Sequence, residues 1–378
     1  MTTRVLVVDD TSIFRRIISD ALAGIPEVEV VGTASNGKLA LARLATLRPD
    51  LITLDIEMPE MNGIEMLEAM RAAGQKASVI MLSSLTVRGG EMTIRALEAG
   101  AFDFITKPEG RSGEESLAQL RSSLRPIIQT LARQREIRSI LNPKPLKSTP
   151  AGSTAAKSPA SILNAQPPVG AAGRTPGRTG PPIVLIGVST GGPTALAELL
   201  PAWPAKIGAP VFVVQHMPAL FTQALAERLQ SKSAIRVKEA GNGEVAEADC
   251  VYLAPGGRQM KLAPGQNGEI TVRITDDPPE NACRPSVDYL FRSAALNFPG
   301  RSIAAILTGM GNDGTAGTRM LKRSGSATIA QDEASCVVFG MPREAILAGV
   351  IDTVVPLNKI AGAILRAIAE VQTGSTGT

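Results

Sequence analysis

The chain has 378 residues, which is enough for about two domains that each fold around a core of their own. Aromatic residues make up only 3% of it, so the cores must be built from aliphatic side chains and methionine. Its three cysteines are far apart, which argues against a disulfide framework or a zinc cluster and favours reduced thiols. No apolar run reaches the length of a membrane span, and no signal peptide precedes the first predicted strand. We therefore expect a soluble, cytoplasmic protein.

The net charge of +4 is concentrated in one segment. Between Asn142 and Gly180 there are five basic residues and no acidic one, so the rest of the chain carries a net charge of −1. A nucleic-acid-binding domain would carry the positive charge itself, so this distribution opposes nucleic acid as a partner. The same segment is rich in Pro, Ala, Gly, Ser and Thr and lacks apolar periodicity. It predicts a flexible linker over residues 142–180 between two folded domains.

The first domain alternates strand-like and helix-like patterns five times, beginning directly after Thr3. The predicted strands are Arg4–Val8, Val28–Gly32, Leu51–Leu54, Ser78–Leu82 and Phe102–Ile105. Helical patterns such as Ile13–Ala23 and Lys38–Leu47 follow them. This alternation predicts an α/β domain in which helices cover both faces of a parallel sheet.

Polar residues gather where these strands end. Asp9 and Asp10 follow the first strand, Asp55 ends the third, Ser83 ends the fourth and Lys107 follows the fifth. Clustered carboxylates repel one another, and an oxygen-preferring divalent cation such as Mg²⁺ relieves that repulsion. A lysine and a hydroxyl opposite them suit a phosphoryl group. The alternative is that each aspartate only caps a turn or a helix.

The second domain begins with an apolar run, Ile183 to Val188, that stops at Ser189 among glycines. The run is typical of a buried parallel strand, and Pro193 suits the first turn of a following helix. The segment from Gly187 to Gly191 matches G-x-S-x-G, the turn that presents a nucleophilic serine. A glycine-rich turn from strand to helix can equally hold a phosphate, so this segment alone leaves two chemistries open.

Two further strand ends supply the partners that a serine nucleophile needs. His216, the single histidine of the chain, ends the run that starts at Pro210, and Asp313 lies in a glycine loop after the run that starts at Ser302. Strand ends of an open parallel sheet share one edge, so Ser189, His216 and Asp313 can converge there. A base and an orienting carboxylate would then complete a catalytic triad. The order Ser, His, Asp differs from that of α/β-hydrolases.

Residues 4–121 resemble a response-regulator receiver domain with a flavodoxin-like fold, on the motifs at Asp9-Asp10, residues 54–59, Ser83, Phe104 and Lys107-Pro108. The resemblance implies that Asp55 accepts a phosphoryl group from a chemotaxis histidine kinase. It also implies that Asp9, Asp10, Asp55 and the Glu57 backbone carbonyl hold Mg²⁺. Ser83 and Lys107 would contact the phosphoryl oxygens, and Phe104 would change rotamer.

Residues 181–374 resemble the Rossmann-like catalytic domain of chemotaxis protein-glutamate methylesterases/protein-glutamine glutaminases. The matching segments are 187–192, 215–218, 252–256, 284–288, 307–314, 330–333 and 340–342. The resemblance implies hydrolysis of glutamate methyl esters, and deamidation of glutamines, on methyl-accepting chemoreceptors without a cofactor at the esterase site. It assigns Ser189 as nucleophile, His216 as base and Asp313 as orienter, with the Met310 backbone at the oxyanion and Thr190 lining the site. Alone, Thr190 could equally be a helix cap.

The predicted architecture is therefore two doubly wound parallel-sheet domains, with a helical extension at 122–141, the linker at 142–180 and a disordered tail at 375–378. By analogy with the family, we expect the unphosphorylated receiver to cover the Ser189 edge and phosphorylation to loosen that contact. The rival interpretation is a phosphorylation-switched binding module without turnover. A DNA-binding output is a weaker third, and no insertion into a membrane is expected.

Overall fold

The computed structural model describes residues 2–108, 113–141 and 180–373, and these residues form two α/β domains. The predicted linker, apart from Gly180, and the predicted tail lie outside the described residues. In the described part of the chain, no helix is both long and apolar enough to span a bilayer.

The first domain is a five-stranded parallel sheet with helices on both faces. Its strands are β1 (Thr3–Val8), β2 (Val28–Ala34), β3 (Leu51–Asp55), β4 (Ser78–Ser83) and β5 (Asp103–Thr106). Its helices are α1 (Ser12–Ala23), α2 (Gly37–Leu47), α3 (Gly63–Ala72), α4 (Val87–Glu98) and α5 (Gly113–Leu141). The strands pair in the order β2-β1-β3-β4-β5, so the strand order reverses at β1 and β3. In such sheets the crevice beside that reversal is where ligands bind.

The helix α5 runs through the predicted end of the receiver domain at residue 121. Its bounds, Gly113–Leu141, include the predicted helical extension 122–141. Buried leucine and isoleucine side chains of this helix, among them Leu124 and Ile128, pack in the same apolar cluster as Ile18 and Leu22 of α1. The receiver and its extension are therefore joined by one continuous helix.

The second domain contains a seven-stranded parallel sheet in the order β14-β13-β12-β6-β7-β9-β8. Its strands are β6 (Ile183–Val188), β7 (Val211–Gln215), β8 (Arg236–Glu239), β9 (Cys250–Leu253), β12 (Ser302–Ile306), β13 (Ala327–Gln331) and β14 (Thr353–Val355). Its helices are α6 (Gly192–Leu199), α7 (Phe221–Gln230), α8 (Val287–Asn297), α9 (Thr315–Arg323), α10 (Met341–Leu347) and α11 (Leu357–Thr373). All residues of β6 are buried, as the unbroken apolar run predicts.

A β-hairpin in the second domain was not predicted. Strands β10 (Gln259–Pro264) and β11 (Ile270–Thr275) pair antiparallel and form a separate two-stranded sheet. The hairpin packs on α8, where Ser293 accepts a hydrogen bond from the Leu262 amide and Asn297 donates one to the Leu262 carbonyl. The doubly wound parallel sheet is therefore accompanied by a small antiparallel unit.

Candidate active site

Ser189 lies at the carboxyl end of β6, between β12 on one side and β7 on the other. Its amide donates to the Thr308 carbonyl at 3.0 Å, and its own carbonyl accepts from the Gly192 amide at 2.7 Å. Gly309 lets this turn approach the loop after β12, because a Cβ atom there would lie 2.8 Å from the Ser189 Cβ. The turn therefore presents Ser189, which is partly exposed, at the point where the strand order reverses.

His216 follows β7 and is paired with Asp313. Its Nε2 lies 2.7 Å from the Asp313 Oδ2, and its side chain is only 13% exposed. Burial alone would lower the pKa of His216, but Asp313 and the neighbouring Cys283 outweigh burial and raise the pKa to about 9. The structure therefore joins the histidine and the aspartate of the predicted triad.

Asp313 is held by a shell of donors at the start of α8. Its Oδ2 accepts from the Val287 amide at 2.7 Å, and its Oδ1 accepts from the Ser286 hydroxyl at 2.9 Å, the Asp288 amide at 3.0 Å and the Asn281 side chain at 2.8 Å. Burial would raise the pKa of Asp313, but the His216 contact and these donors lower it to about 2. A helix N-terminus therefore keeps this carboxylate ionised and fixed.

The second ring nitrogen of His216 faces a thiol. Its Nδ1 lies 3.7 Å from the Cys283 Sγ. Among the described residues, Asp313 and Cys283 are the hydrogen-bond partners of the two ring nitrogens. The Ser189 hydroxyl is not a partner of either. The structure brings all three predicted triad residues to one edge and joins two of them. A serine-to-histidine hydrogen bond requires Ser189 to take the place of the thiol at Nδ1.

The predicted oxyanion and lining residues lie at the same edge. Within the described ranges, the Met310 N–H has no acceptor, so it is free to donate to a substrate oxygen. The Met310 side chain packs against the apolar cluster of the first domain that contains Ile105 and Leu120. Thr190 is buried, and its hydroxyl donates at 2.6 Å to Asp103 of β5.

The first domain covers this edge through α4 and β5. A cavity of about 240 Å³ between the domains is lined by Asp103 and Phe104 from one side and by Ser189, Thr190 and His216 from the other. Burial raises the pKa of Asp103 to about 6, against the lowering effect of its hydrogen bonds to Thr190 and the Phe104 amide. The cavity beside Ser189 is therefore shared by both domains.

Two further contacts hold the domains together. The Phe104 ring stacks on Phe221 of α7, with centroids 4.8 Å apart and planes 22° apart. Glu98, at the end of α4, accepts from Arg228 at 2.7 Å and from Lys232 at 2.7 Å. Phe104, the aromatic residue predicted to switch rotamer, is therefore itself part of the interface.

The predicted acidic site of the first domain is also assembled. Lys107 Nζ lies 2.8 Å from both the Asp9 Oδ2 and the Asp55 Oδ2. Burial raises the pKa of Asp55 to about 6, Lys107 lowers it, and the charges of Asp9 and Asp10 add to the rise. The three aspartates each offer an oxygen within 4.8 Å of the others. This oxygen-only donor set fits Mg²⁺.

The remaining receiver residues border a cavity of about 260 Å³ next to Asp55. Glu57 and Ser83 line it together with Lys107. The Ser83 hydroxyl accepts from Thr93 at 2.8 Å and donates to the Gly89 carbonyl at 3.2 Å, which ties the end of β4 to α4. The Glu57 side chain lies 3.5 Å from Arg88 Nε. Five of the predicted phosphorylation-site residues therefore border one cavity: Asp10, Asp55, Glu57, Ser83 and Lys107. Asp9 adjoins them through its contact with Lys107, and Phe104 belongs to the domain interface.

Comparison with known proteins identifies the same two units. Residues 184–364 match the model of the CheB methylesterase family, and residues 5–118 match that of the response regulator receiver domain. A protein-glutamate methylesterase/protein-glutamine glutaminase of Desulfotalea psychrophila is 48% identical over 370 residues, covering 97% of this chain and 98% of the relative. The chain belongs to this family.

Other members of the methylesterase/glutaminase family are similar over the same length. The Bacillus subtilis protein of that name is 41% identical and covers 97% of this chain and 98% of its own. Among solved structures, the catalytic domain of Thermotoga maritima CheB methylesterase is 43% identical, covering 50% of this chain and 99% of that one, with a TM-score of 0.49. The family assignment confirms the fold class, the receiver and the enzyme class predicted from the sequence.

Sequence reasoning missed two side chains at the methylesterase edge. The cysteine spacing indicates only a reduced thiol at Cys283, and no sequence motif points to Asp103. Cys283 is 67 positions from His216, and Asp103 is 87 positions from Thr190. The sequence does hold a signal for Cys283, because this residue directly precedes the segment 284–288 on which the family resemblance rests. Nothing in the sequence pairs Asp103 with the second domain.

Proposed function

We propose that this methylesterase/glutaminase acts on methyl-accepting chemoreceptors, with Ser189 as nucleophile, His216 as general base and then acid, and Asp313 as orienter. The observation that carries the proposal is the 2.7 Å contact between His216 Nε2 and Asp313 Oδ2 at the strand edge that presents Ser189. A binding module has no need of a buried histidine–aspartate pair beside a serine turn, so the contact favours turnover over the rival interpretation.

Both activities are acyl transfers, so one site serves them. The Ser189 hydroxyl adds to the γ-carbonyl carbon while His216 takes its proton. His216 returns this proton to the departing group, which leaves as methanol from an ester or as ammonia from an amide. Water then hydrolyses the serine ester with the same base. No cofactor is required for these steps, and the predicted absence of one stays a prediction.

The tetrahedral intermediate needs a donor for its oxygen, and the Met310 N–H is the candidate. It carries no hydrogen bond to another described residue, and it follows Gly309, which packs against Ser189. Thr190 lines the same cavity. Because the Thr190 hydroxyl is engaged by Asp103 while the domains are in contact, it reaches substrate only when the first domain withdraws.

The receiver regulates this site through Asp55, which accepts a phosphoryl group from a chemotaxis histidine kinase. Asp9, Asp10, Asp55 and the Glu57 carbonyl would hold Mg²⁺, which neutralises charge on the transferring phosphoryl group when bound. Lys107 then exchanges a carboxylate for a phosphoryl oxygen, and Ser83 contacts another. Movement of Ser83 displaces α4, and a new rotamer of Phe104 breaks its stack on Phe221.

The compartment follows from the partners. A histidine kinase and the signalling ends of receptors meet in the cytoplasm, where thiols stay reduced. Cys250, Cys283 and Cys336 are all free thiols. The folded parts of the chain are close to neutral, which opposes nucleic acid as a partner. Membrane insertion is not part of the proposal either.

The test is methanol release from a methyl-esterified chemoreceptor by the full chain, compared with Ser189→Ala. The expected result is loss of release in Ser189→Ala. Ser231→Ala, at an exposed serine after α7, should release methanol at the normal rate. Equal release by the Ser189→Ala protein would exclude the serine mechanism. Absence of release from the unaltered chain, even after phosphodonor and Mg²⁺ are added, would exclude chemoreceptors as substrate.

A further inference from the structure

The hydrolysis steps proposed above do not use the thiol that lies beside His216. Cys283 Sγ lies 3.7 Å from His216 Nδ1, the ring nitrogen that does not contact Asp313. Both residues are partly exposed, so an ion in solution can reach them. Together with Asp313 they offer nitrogen, sulfur and oxygen atoms within 4.8 Å of one another.

The spacing of these two atoms matches one edge of a tetrahedral zinc site. With Zn–N of about 2.1 Å, Zn–S of about 2.3 Å and a tetrahedral angle, the nitrogen and the sulfur are about 3.6 Å apart. The observed 3.7 Å allows both to bind one ion without movement of the backbone.

The Asp313 carboxylate completes the arrangement from the other side of the ring. Metal-binding histidines usually donate their second N–H to a carboxylate, which sets the tautomer and makes the metal-binding nitrogen more basic. His216 Nε2 meets Asp313 in this way at 2.7 Å. The Asp313 oxygens already accept from Asn281, Ser286 and the first amides of α8, so this carboxylate orients the ligand and is not itself a ligand.

We propose that His216 Nδ1 and Cys283 Sγ form an inhibitory binding site for a thiophilic divalent cation, with Zn²⁺ as the occupant. Binding forms one Zn–N and one Zn–S bond, releases the thiol proton to solvent and leaves water in the remaining positions. No electron is transferred. The ion occupies the lone pair with which His216 would accept the Ser189 proton, so hydrolysis stops while the ion is bound.

Ligand chemistry separates this site from the acidic site of the receiver. Imidazole and thiolate favour Zn²⁺, whereas the three carboxylates of Asp9, Asp10 and Asp55 suit Mg²⁺. One chain would therefore respond to two cations in opposite directions. Mg²⁺ supports phosphorylation and activation, and Zn²⁺ blocks the serine site directly.

The activity test uses the full chain in excess Mg²⁺ with a phosphine reductant, which does not compete for zinc as a thiol reductant would. Each variant is compared with its own rate in the absence of Zn²⁺. Cys283→Ser should need at least about tenfold more Zn²⁺ for half-inhibition. Cys336→Ser is the matched control, because among the described residues Cys336 belongs to no such cluster, and it should be inhibited like the unaltered chain.

A spectroscopic test does not depend on turnover. The inhibitory effect depends on the proposed esterase function, but the metal site does not. Co²⁺ added to the full chain should produce a thiolate charge-transfer band that persists in Cys336→Ser and disappears in Cys283→Ser and Cys283→Ala. Lack of this band in the unaltered chain would overturn the site. Equal zinc sensitivity of Cys283→Ser, or a thiolate band without inhibition, would overturn its inhibitory role.

Discussion

Asp55 and Asp313 lie at equivalent edges of two parallel sheets and are about equally buried, with side chains 6% and 3% exposed. Their surroundings are nevertheless opposite. Burial raises the pKa of Asp55 to about 6, and only one cation, Lys107, opposes this rise. Burial also raises the pKa of Asp313, but His216 and the donors at the start of α8 outweigh it and lower the pKa to about 2.

The comparison separates a carboxylate that we propose to be reactive, Asp55, from one that we propose to be fixed, Asp313. Asp55 contacts a long, movable lysine side chain, so it can exchange that partner for a metal or a phosphoryl group. Asp313 accepts from backbone amides that cannot leave without unwinding α8, so it holds His216 in one orientation. The number and rigidity of donors, and not burial, assign the two roles.

The largest expected effect is at the fixed carboxylate. Asp313→Asn should lower kcat for ester hydrolysis by about ten-thousandfold with little change in KM, because an amide cannot hold the required tautomer of His216. Steady-state methanol release measures both constants. Asp276→Asn, at a side chain that is 77% exposed, is the matched control and should behave normally. A decrease of less than tenfold would mean that Asp313 does not orient the base.

At the reactive carboxylate, Asp55→Asn should abolish the response to phosphodonor and leave the basal hydrolysis rate in place. The neutral side chain cannot accept the phosphoryl group, whereas the serine site is untouched. Phosphate incorporation and methanol release are measured on the same sample. Asp20→Asn, on the exposed face of α1, should be phosphorylated and activated normally. Retained phosphate incorporation in Asp55→Asn would show that a different residue is the acceptor.

The contact between the two domains can be weakened without altering the acidic site or the serine site. Glu98→Gln removes an acceptor shared by Arg228 and Lys232 and should raise basal hydrolysis about fivefold, corresponding to about 1 kcal/mol of domain contact. Glu247→Gln breaks a comparable pair with Arg236 and should leave the basal rate unchanged. If both variants hydrolyse at the unaltered rate, the α4–α7 contact does not restrain the enzyme.

A smaller, pH-dependent effect is expected from Asp103. Its pKa is raised to about 6 by burial in the domain contact, against an ordinary value of 3.8. Domain contact is therefore favoured while Asp103 is protonated and weakens as the pH rises through about 6. Asp103→Asn keeps an acceptor for Thr190 without the charge, so its contact should not weaken in this range.

The readout for Asp103 is the basal rate of the unaltered chain divided by that of Asp103→Asn, because the titration of His216 cancels in this ratio. We expect a ratio near one at pH 5 and about threefold above pH 7. Asp50→Asn, which alters a carboxylate paired with Arg135 away from the interface, should give a flat ratio. A flat ratio for Asp103→Asn as well would contradict the assignment.

The predicted site residues that the structure brings to a strand edge share one property. Ser189, His216 and Asp9 directly follow apolar runs, and the geometry of a parallel sheet brings such strand ends to one edge. The same argument does not reach residues on loops that follow no strand of the parallel sheet. Cys283 reaches His216 through the loop between the unpredicted β10–β11 hairpin and α8, and no periodicity encodes that approach.

The sequence predicts that the two domains are in contact, but it does not predict which residues make the contact. The family resemblance implied that the receiver covers the serine edge, and Phe104 was singled out as a switch. Its stacking partner Phe221 and the pairing of Asp103 with Thr190 depend on how two separately folded surfaces meet. Hydrophobic patterning indicates which face of a helix or strand is buried. It does not indicate which part of another domain packs on that face.

The most direct test of this account is the rate at which a fluorophosphonate labels Ser189 in the full chain, measured by intact mass before and after phosphorylation of Asp55. The account predicts slow labelling before phosphorylation, faster labelling after it, and no acceleration in Asp55→Asn. An equal rate in both states would contradict a serine nucleophile covered by the receiver.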